Sequence, residues 1–122
     1  MAKAKPDKQT EQRIEQAIVV DAYDAQERAM GWYSYLEERL RFPFPCKCIA
    51  PRAISPLRKG QEVAVVGLAP AEECAHEMFV MITWEDRTLA VPLAQLEAVQ
   101  PDKATEQAVA DWHYWVKQGY EF

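Results

Sequence analysis

Carboxylates crowded into one stretch are the most visible chemistry in this sequence. The loop APAEECAHE (69–77) carries Glu72, Glu73 and Glu77, and a turn a few residues later carries Glu85 and Asp86. Residues 70–97 hold six acidic side chains against one basic residue, Arg87, while the whole chain is only −5. Calcium is a hard cation that takes six to eight oxygens from carboxylates, backbone carbonyls and water. The loop and turn offer the first of these, and loop carbonyls between 69 and 76 offer the second. The arrangement is not an EF-hand, because no D-x-[DN]-x-[DN]-G run occurs. A solvated sheet edge explains the same charges without a metal.

A second set of ligand types is Cys46-Lys47-Cys48 with Cys74-Ala75-His76, a C-x-C…C-x-H pattern. Residues two apart on a strand face the same way, so each pair could address one zinc ion. The spacing is tighter than the usual two to four intervening residues, and buried packing explains cysteine equally well. Catalysis finds less support. His76 or His113 would have to meet a cysteine nucleophile, and no Gly-rich phosphate loop, G-x-S-x-G or H-E-x-x-H is present. His113, inside DWHYW, reads as a hydrogen-bonded packing residue, and Asp111 as a surface or supporting group. Trp32, Trp84, Trp112 and Trp115 suit either a peptide-binding groove or helix-on-sheet packing. Nucleic-acid binding would require a basic face; Arg52, Arg58 and Lys59 lie in a +3 block (42–69), but the acidic loop beside it opposes phosphate.

The elements that must position these groups follow from periodicity. Residues 1–9 read as a basic flexible tail, and 10–41 as helical, in two pieces. Ile14, Ala17 and Ile18 mark the first piece; Asp24 with Glu27 forms a capping-box-like start for the second, which runs to about Arg41. Gly31 weakens that helix and so marks close packing beneath another element. FPFP (42–45) ends it. Strands are expected over 46–53, 62–68, 78–84 and 88–92, the last two as a hairpin, with a final strand near 97–99. Together 46–100 reads as a barrel-like sheet. Asp102 then caps a helix over 102–118 that stops at Gly119.

With 122 residues and 49% hydrophobic content, the chain is sized for a single domain spanning 1–122 with one core. No apolar run has the length of a membrane span, and the opening residues lack a signal-peptide pattern. Three cysteines argue against a disulfide framework and for a reducing cytoplasm.

Several strings carry a family resemblance: DAYDxxERAMGWYxYLE (21–37), FPF (42–44), SPLxxGxEV (55–63), EMFV (77–80), WxxRxLAVPLxQLE (84–97) and DWHYWV (111–116). From about residue 14 onward the chain resembles the small bacterial calcium-binding proteins of the CcbP type, described in cyanobacteria. The resemblance implies an α+β fold: a small, strongly bent antiparallel sheet or SH3-like half-barrel, flanked by two N-terminal helices and one C-terminal helix. It also implies calcium as the ligand, bound by surface carboxylates with little conformational change, in a buffering or signalling role. The acidic positions within or beside matched strings are Glu38, Glu72, Glu73, Glu77 and Asp86. Asp21 and Asp24 match too, although capping accounts for Asp24.

The expectation is therefore a cytoplasmic, non-enzymatic calcium-binding protein of modest affinity, with calcium as its partner and room for a protein partner, but none for nucleic acid or membrane. The alternatives are an SH3-like interaction module with an aromatic groove at Trp32 or Trp84, and a structural zinc protein using Cys46, Cys48, Cys74 and His76.

Overall fold

A computed structural model describes residues 6–122. Helix α1 (Lys8–Arg13) begins where Asp7 accepts a hydrogen bond from the Thr10 hydroxyl at 2.6 Å and another from the Gln9 amide at 3.3 Å. It continues without a break into a π-helical turn (Ile14–Ile18), closed by the Val19 amide donating to the Ile14 carbonyl at 2.9 Å. Residues 1–5 of the expected tail lie outside the described residues. Its remainder is not loose, because Asp7 is a cap and Lys8 and Gln9 are helical.

Helix α2 (Ala25–Arg39) starts at Asp24, whose Oδ1 accepts from the Glu27 amide at 2.8 Å, as the capping pattern predicts. Its buried face is Ala29, Trp32, Tyr35 and Leu36, spaced three or four apart. It ends two residues before Arg41, since Leu40 turns to extended backbone and drives its side chain into the core. Gly31 is explained by proximity: a Cβ there would lie 2.2 Å from the Ile18 carbonyl oxygen. The π-turn thus crosses α2 at backbone contact distance.

The sheet has five antiparallel strands: β1 (Phe44–Cys48), β2 (Glu62–Leu68), β3 (Phe79–Trp84), β4 (Arg87–Pro92) and β5 (Leu96–Ala98). Their spatial order is β4-β3-β2-β1-β5, which leaves the sheet open at both ends. A register shift between Val65 and Gly67 bends β2 against β3, the usual effect of an extra residue in one strand. β1 begins inside FPFP and stops at Cys48, earlier at both ends than the sequence alternation suggests. Its period-two pattern buries Phe44, Cys46 and Cys48 and exposes Pro45 and Lys47. Helix α3 (Lys103–Lys117) is capped by Asp102, whose Oδ1 accepts from the Thr105 amide at 2.8 Å.

Helices and sheet share one buried cluster that includes Trp32, Leu36, Val65, Val80, Ile82, Leu96 and Trp112. Trp32 is fully buried and meets Trp112 edge-on at 5.0 Å between ring centroids. The tryptophan face of α3 therefore belongs to the core. Of the two expectations for Asp111, surface or supporting group, the structure shows the second: it is 1% exposed. Arg13 grips it from α1 through two hydrogen bonds of 2.8 and 2.6 Å, and the Tyr35 hydroxyl donates to Oδ2 at 2.6 Å from α2. Burial and this bond push the Tyr35 phenol up to about 12. Arg39 lies 4.5 Å above the Tyr35 ring.

Two substitutions test these packing claims. Gly31→Ala would force α2 off the Ile18 carbonyl and should cost about 1–3 kcal/mol, well beyond helix propensity, which favours alanine. Asp111→Asn leaves Arg13 and Tyr35 without their anion. It should cost about 3 kcal/mol, the low end for a broken buried pair because Arg13 keeps some access to water. Denaturant midpoints check both, and an unchanged midpoint in either variant would refute the corresponding contact.

Candidate functional site

The acidic loop is built on three buried pegs. Ala69 ends β2 with its amide donating to the Phe79 carbonyl at 3.1 Å, and its own carbonyl accepts from the Tyr33 hydroxyl at 2.8 Å. A 3-10 turn (Ala71–Cys74) follows, in which the Cys74 sulfur accepts from the Phe79 amide at 3.4 Å. Met78, fully buried, delivers the chain into β3. Residues three apart share a side of a 3-10 turn, so the inward pegging of Cys74 leaves Glu72 and Glu73 outside, where both are exposed.

The sequence-predicted carboxylates do not all gather at this loop. Glu77 is partly buried, and its Oε2 accepts from Arg52 at 2.8 Å, so a cation already occupies it. Glu38 is exposed near the end of α2. Asp86 is exposed in the two-residue turn joining β3 to β4, where Glu85 and Asp86 have φ of +44° and +66°. Glu77 and Asp86 flank opposite ends of β3, about 20 Å apart at the ordinary rise of an extended strand. One ion cannot bridge the loop and the turn.

A carboxylate that sequence reasoning passed over also acts on Tyr33. Tyr33 has its phenol pushed up, by burial first and then by its acidic surroundings, among them the carboxylates of Glu37 and Glu72. Glu37 of α2 and Glu72 of the loop therefore act on one hydroxyl. Glu37 follows Tyr33 by four residues, on the same helix face, and that spacing was the available signal. Among the described residues, no group of three or more His, Cys, Asp or Glu is drawn together as a ready metal cage.

The same geometry separates the zinc candidates. Cys46 and Cys48 point into the core from β1, and burial pushes the Cys46 thiol up to about 12, away from the thiolate a metal requires. Cys74 is raised by burial as well and is held by Phe79, whereas His76 is exposed on the loop. Trp32 lines no groove, being fully buried; Trp84 is half-buried beside Arg58 and Lys59. His113 is the packing histidine expected, its Nε2 lying 2.6 Å from the Leu96 carbonyl, and burial lowers its pKa.

Comparison with known proteins bears on the family of the whole chain. The sequence profile of the CcbP family, described as calcium binding, matches residues 12–116. The crystal structure of Anabaena CcbP is similar over the full length of both chains, with 41% identity and a TM-score of 0.88. A second solved structure, a calcium binding protein in the calcium-binding form, is 40% identical over both full lengths, with a TM-score of 0.87. No curated protein matches.

The hairpin turn offers a test in which ligand and fold part company. Both turn residues adopt the left-handed conformation, which costs a residue with a Cβ roughly 1 kcal/mol and costs glycine nothing. Asp86→Gly should leave the melting temperature unchanged or raise it, although it deletes an acidic side chain. A marked fall would mean that the carboxylate itself holds the turn.

Proposed function

Because this chain belongs to the CcbP family of calcium-binding proteins, we propose that it binds calcium at the loop between β2 and β3. The family is defined by calcium binding and is not a family of enzymes. The observation that carries the placement is the exposure of Glu72 and Glu73 on a loop whose backbone is pinned by Ala69, Cys74 and Met78. Carboxylates with free rotamers on a fixed backbone can turn toward an ion while the fold stays still. Loop carbonyls and water complete the six to eight oxygens calcium takes. Glu38 neighbours Glu37 and is a reserve ligand. Glu77 joins only if Arg52 lets go, so it contributes less than its position suggests. Asp86 belongs to a separate, weaker place at the hairpin tip.

Affinity is modest in this reading, because few charges converge and binding strength follows ligand charge and rigidity. Such a site suits buffering or chelation in the cytoplasm. Among the described residues no helix is long and apolar enough to cross a membrane.

Calorimetric titration of metal-stripped protein with calcium, under excess magnesium, is the test. Saturable heat is expected, with a rise in stability of about 2.7 kcal/mol at a hundredfold excess over Kd. Glu72→Gln with Glu73→Gln should remove the main binding event, and Asp86→Gly should leave it intact. Absence of both heat and a melting shift up to millimolar calcium would sink the proposal. Loss of the main event in Asp86→Gly alone would move the site to the hairpin.

A further inference from the structure

A cleft of about 500 Å3 lies between the first turns of α2 and the 3-10 turn after β2. Ala25, Ala29 and Met30 line it from α2, and Ala71, Glu72, Ala75 and His76 line it from the other side. Alanines on both sides leave a trough into which larger side chains of another molecule can descend. Met30, 49% exposed, is an unbranched, adaptable side chain of the kind that lines binding grooves.

Apart from His76 and Arg28, the charged side chains around this trough are acidic. No Lys or Arg occurs from Ile14 to Glu27 or from Gly60 to Asp86, the segments that supply most of its surroundings. Glu72 lines the trough, and Asp21, Asp24, Glu27 and Glu73, all exposed, lie in the chain segments that lead into its walls. Of the nearby cations, Arg52 pairs with Glu77, and Arg28 keeps its charge but is drawn to the Phe122 carbonyl.

We infer that this cleft docks a basic amphipathic helix of a partner protein, with apolar side chains in the trough and lysines or arginines against the carboxylate rim. Helix-in-groove recognition is favoured over strand addition because the cleft adjoins β2 and β3, which are interior strands already paired on both sides. The rim charges steer approach and disfavour acidic partners. The inference goes beyond calcium binding and does not depend on it.

The test uses the full chain in excess chelator, so that failure here leaves the calcium reading untouched. A short fluorescein-labelled Leu/Lys peptide of helical amphipathic pattern is titrated by anisotropy, alongside a Leu/Glu peptide of the same pattern. Saturable binding of the basic peptide alone is expected. Met30→Lys with Ala75→Lys, both at exposed positions, should weaken it about tenfold, or 1.4 kcal/mol. Glu97→Lys adds the same charge on β5 beside His113, outside the cleft, and should leave binding within about twofold. Melting curves confirm that each variant is folded. Absence of saturable binding, equal binding of the acidic peptide, or equal weakening by Glu97→Lys would overturn the assignment.

Discussion

One buried carboxylate fixes how the three helices meet. Asp111 on α3 receives the Arg13 guanidinium from α1 and the Tyr35 hydroxyl from α2, so that each helix is held at a defined rotation about its axis. Hydrophobic packing alone tolerates sliding and rotation, whereas a bidentate guanidinium contact does not. A buried ion pair adds little net stability over a well-packed apolar set; its value here is specificity. Tyr35 is the consequential member. With α2 fixed at Tyr35, Tyr33 two residues earlier reaches the Ala69 carbonyl, and Glu37 two residues later lies on the same helix face as Tyr33. The Gly31–Ile18 approach locks the same helix about one turn before Tyr35.

The loop inherits that rigidity. Its backbone is tied through Ala69, Cys74 and Met78 to buried neighbours, while its carboxylates stand in water. Flexible side chains on a stiff frame lose only rotamer freedom when they gather around an ion, because the main chain has already been ordered by folding. Such a loop responds to a ligand without transmitting a large movement. The Arg52–Glu77 pair adds a further control, since a cation supplied by the chain competes with any cation from solution.

Much of the fold was legible because its signals are local. The alternation of EVAVVGL gives β2 its observed limits, and the capping aspartates Asp24 and Asp102 open their helices where expected. Gly31 was a local anomaly that correctly announced close packing. The π-turn carries no sequence mark, because the change from α to π hydrogen bonding follows from tertiary contact with α2. Asp111 could be read only as a surface or supporting group, because its partners lie 98 and 76 positions away. Glu77 and Asp86 looked like one cluster because they share an acidic block, but a strand between them makes sequence neighbours spatially remote. Glu85-Asp86 also lacks the Asn-Gly signature of its positive-φ turn, so the turn's conformation was invisible.

Charge segregation explains how a chain of only −5 can hold a strongly negative loop. Arg58 and Lys59 precede β2, and the acidic loop follows it. The seven residues of β2 separate the two groups by about 20 Å, more than twice the roughly 8 Å screening length at physiological salt. At that range the basic loop does not neutralise the acidic one. Arg52 is the exception that reaches across, and its charge is spent on Glu77. A cation approaching Glu72 and Glu73 therefore meets the local field of unpaired carboxylates, and net charge is a poor guide to it. The strand acts as the spacer, and the same separation that keeps Asp86 out of the loop site keeps the basic residues from cancelling it.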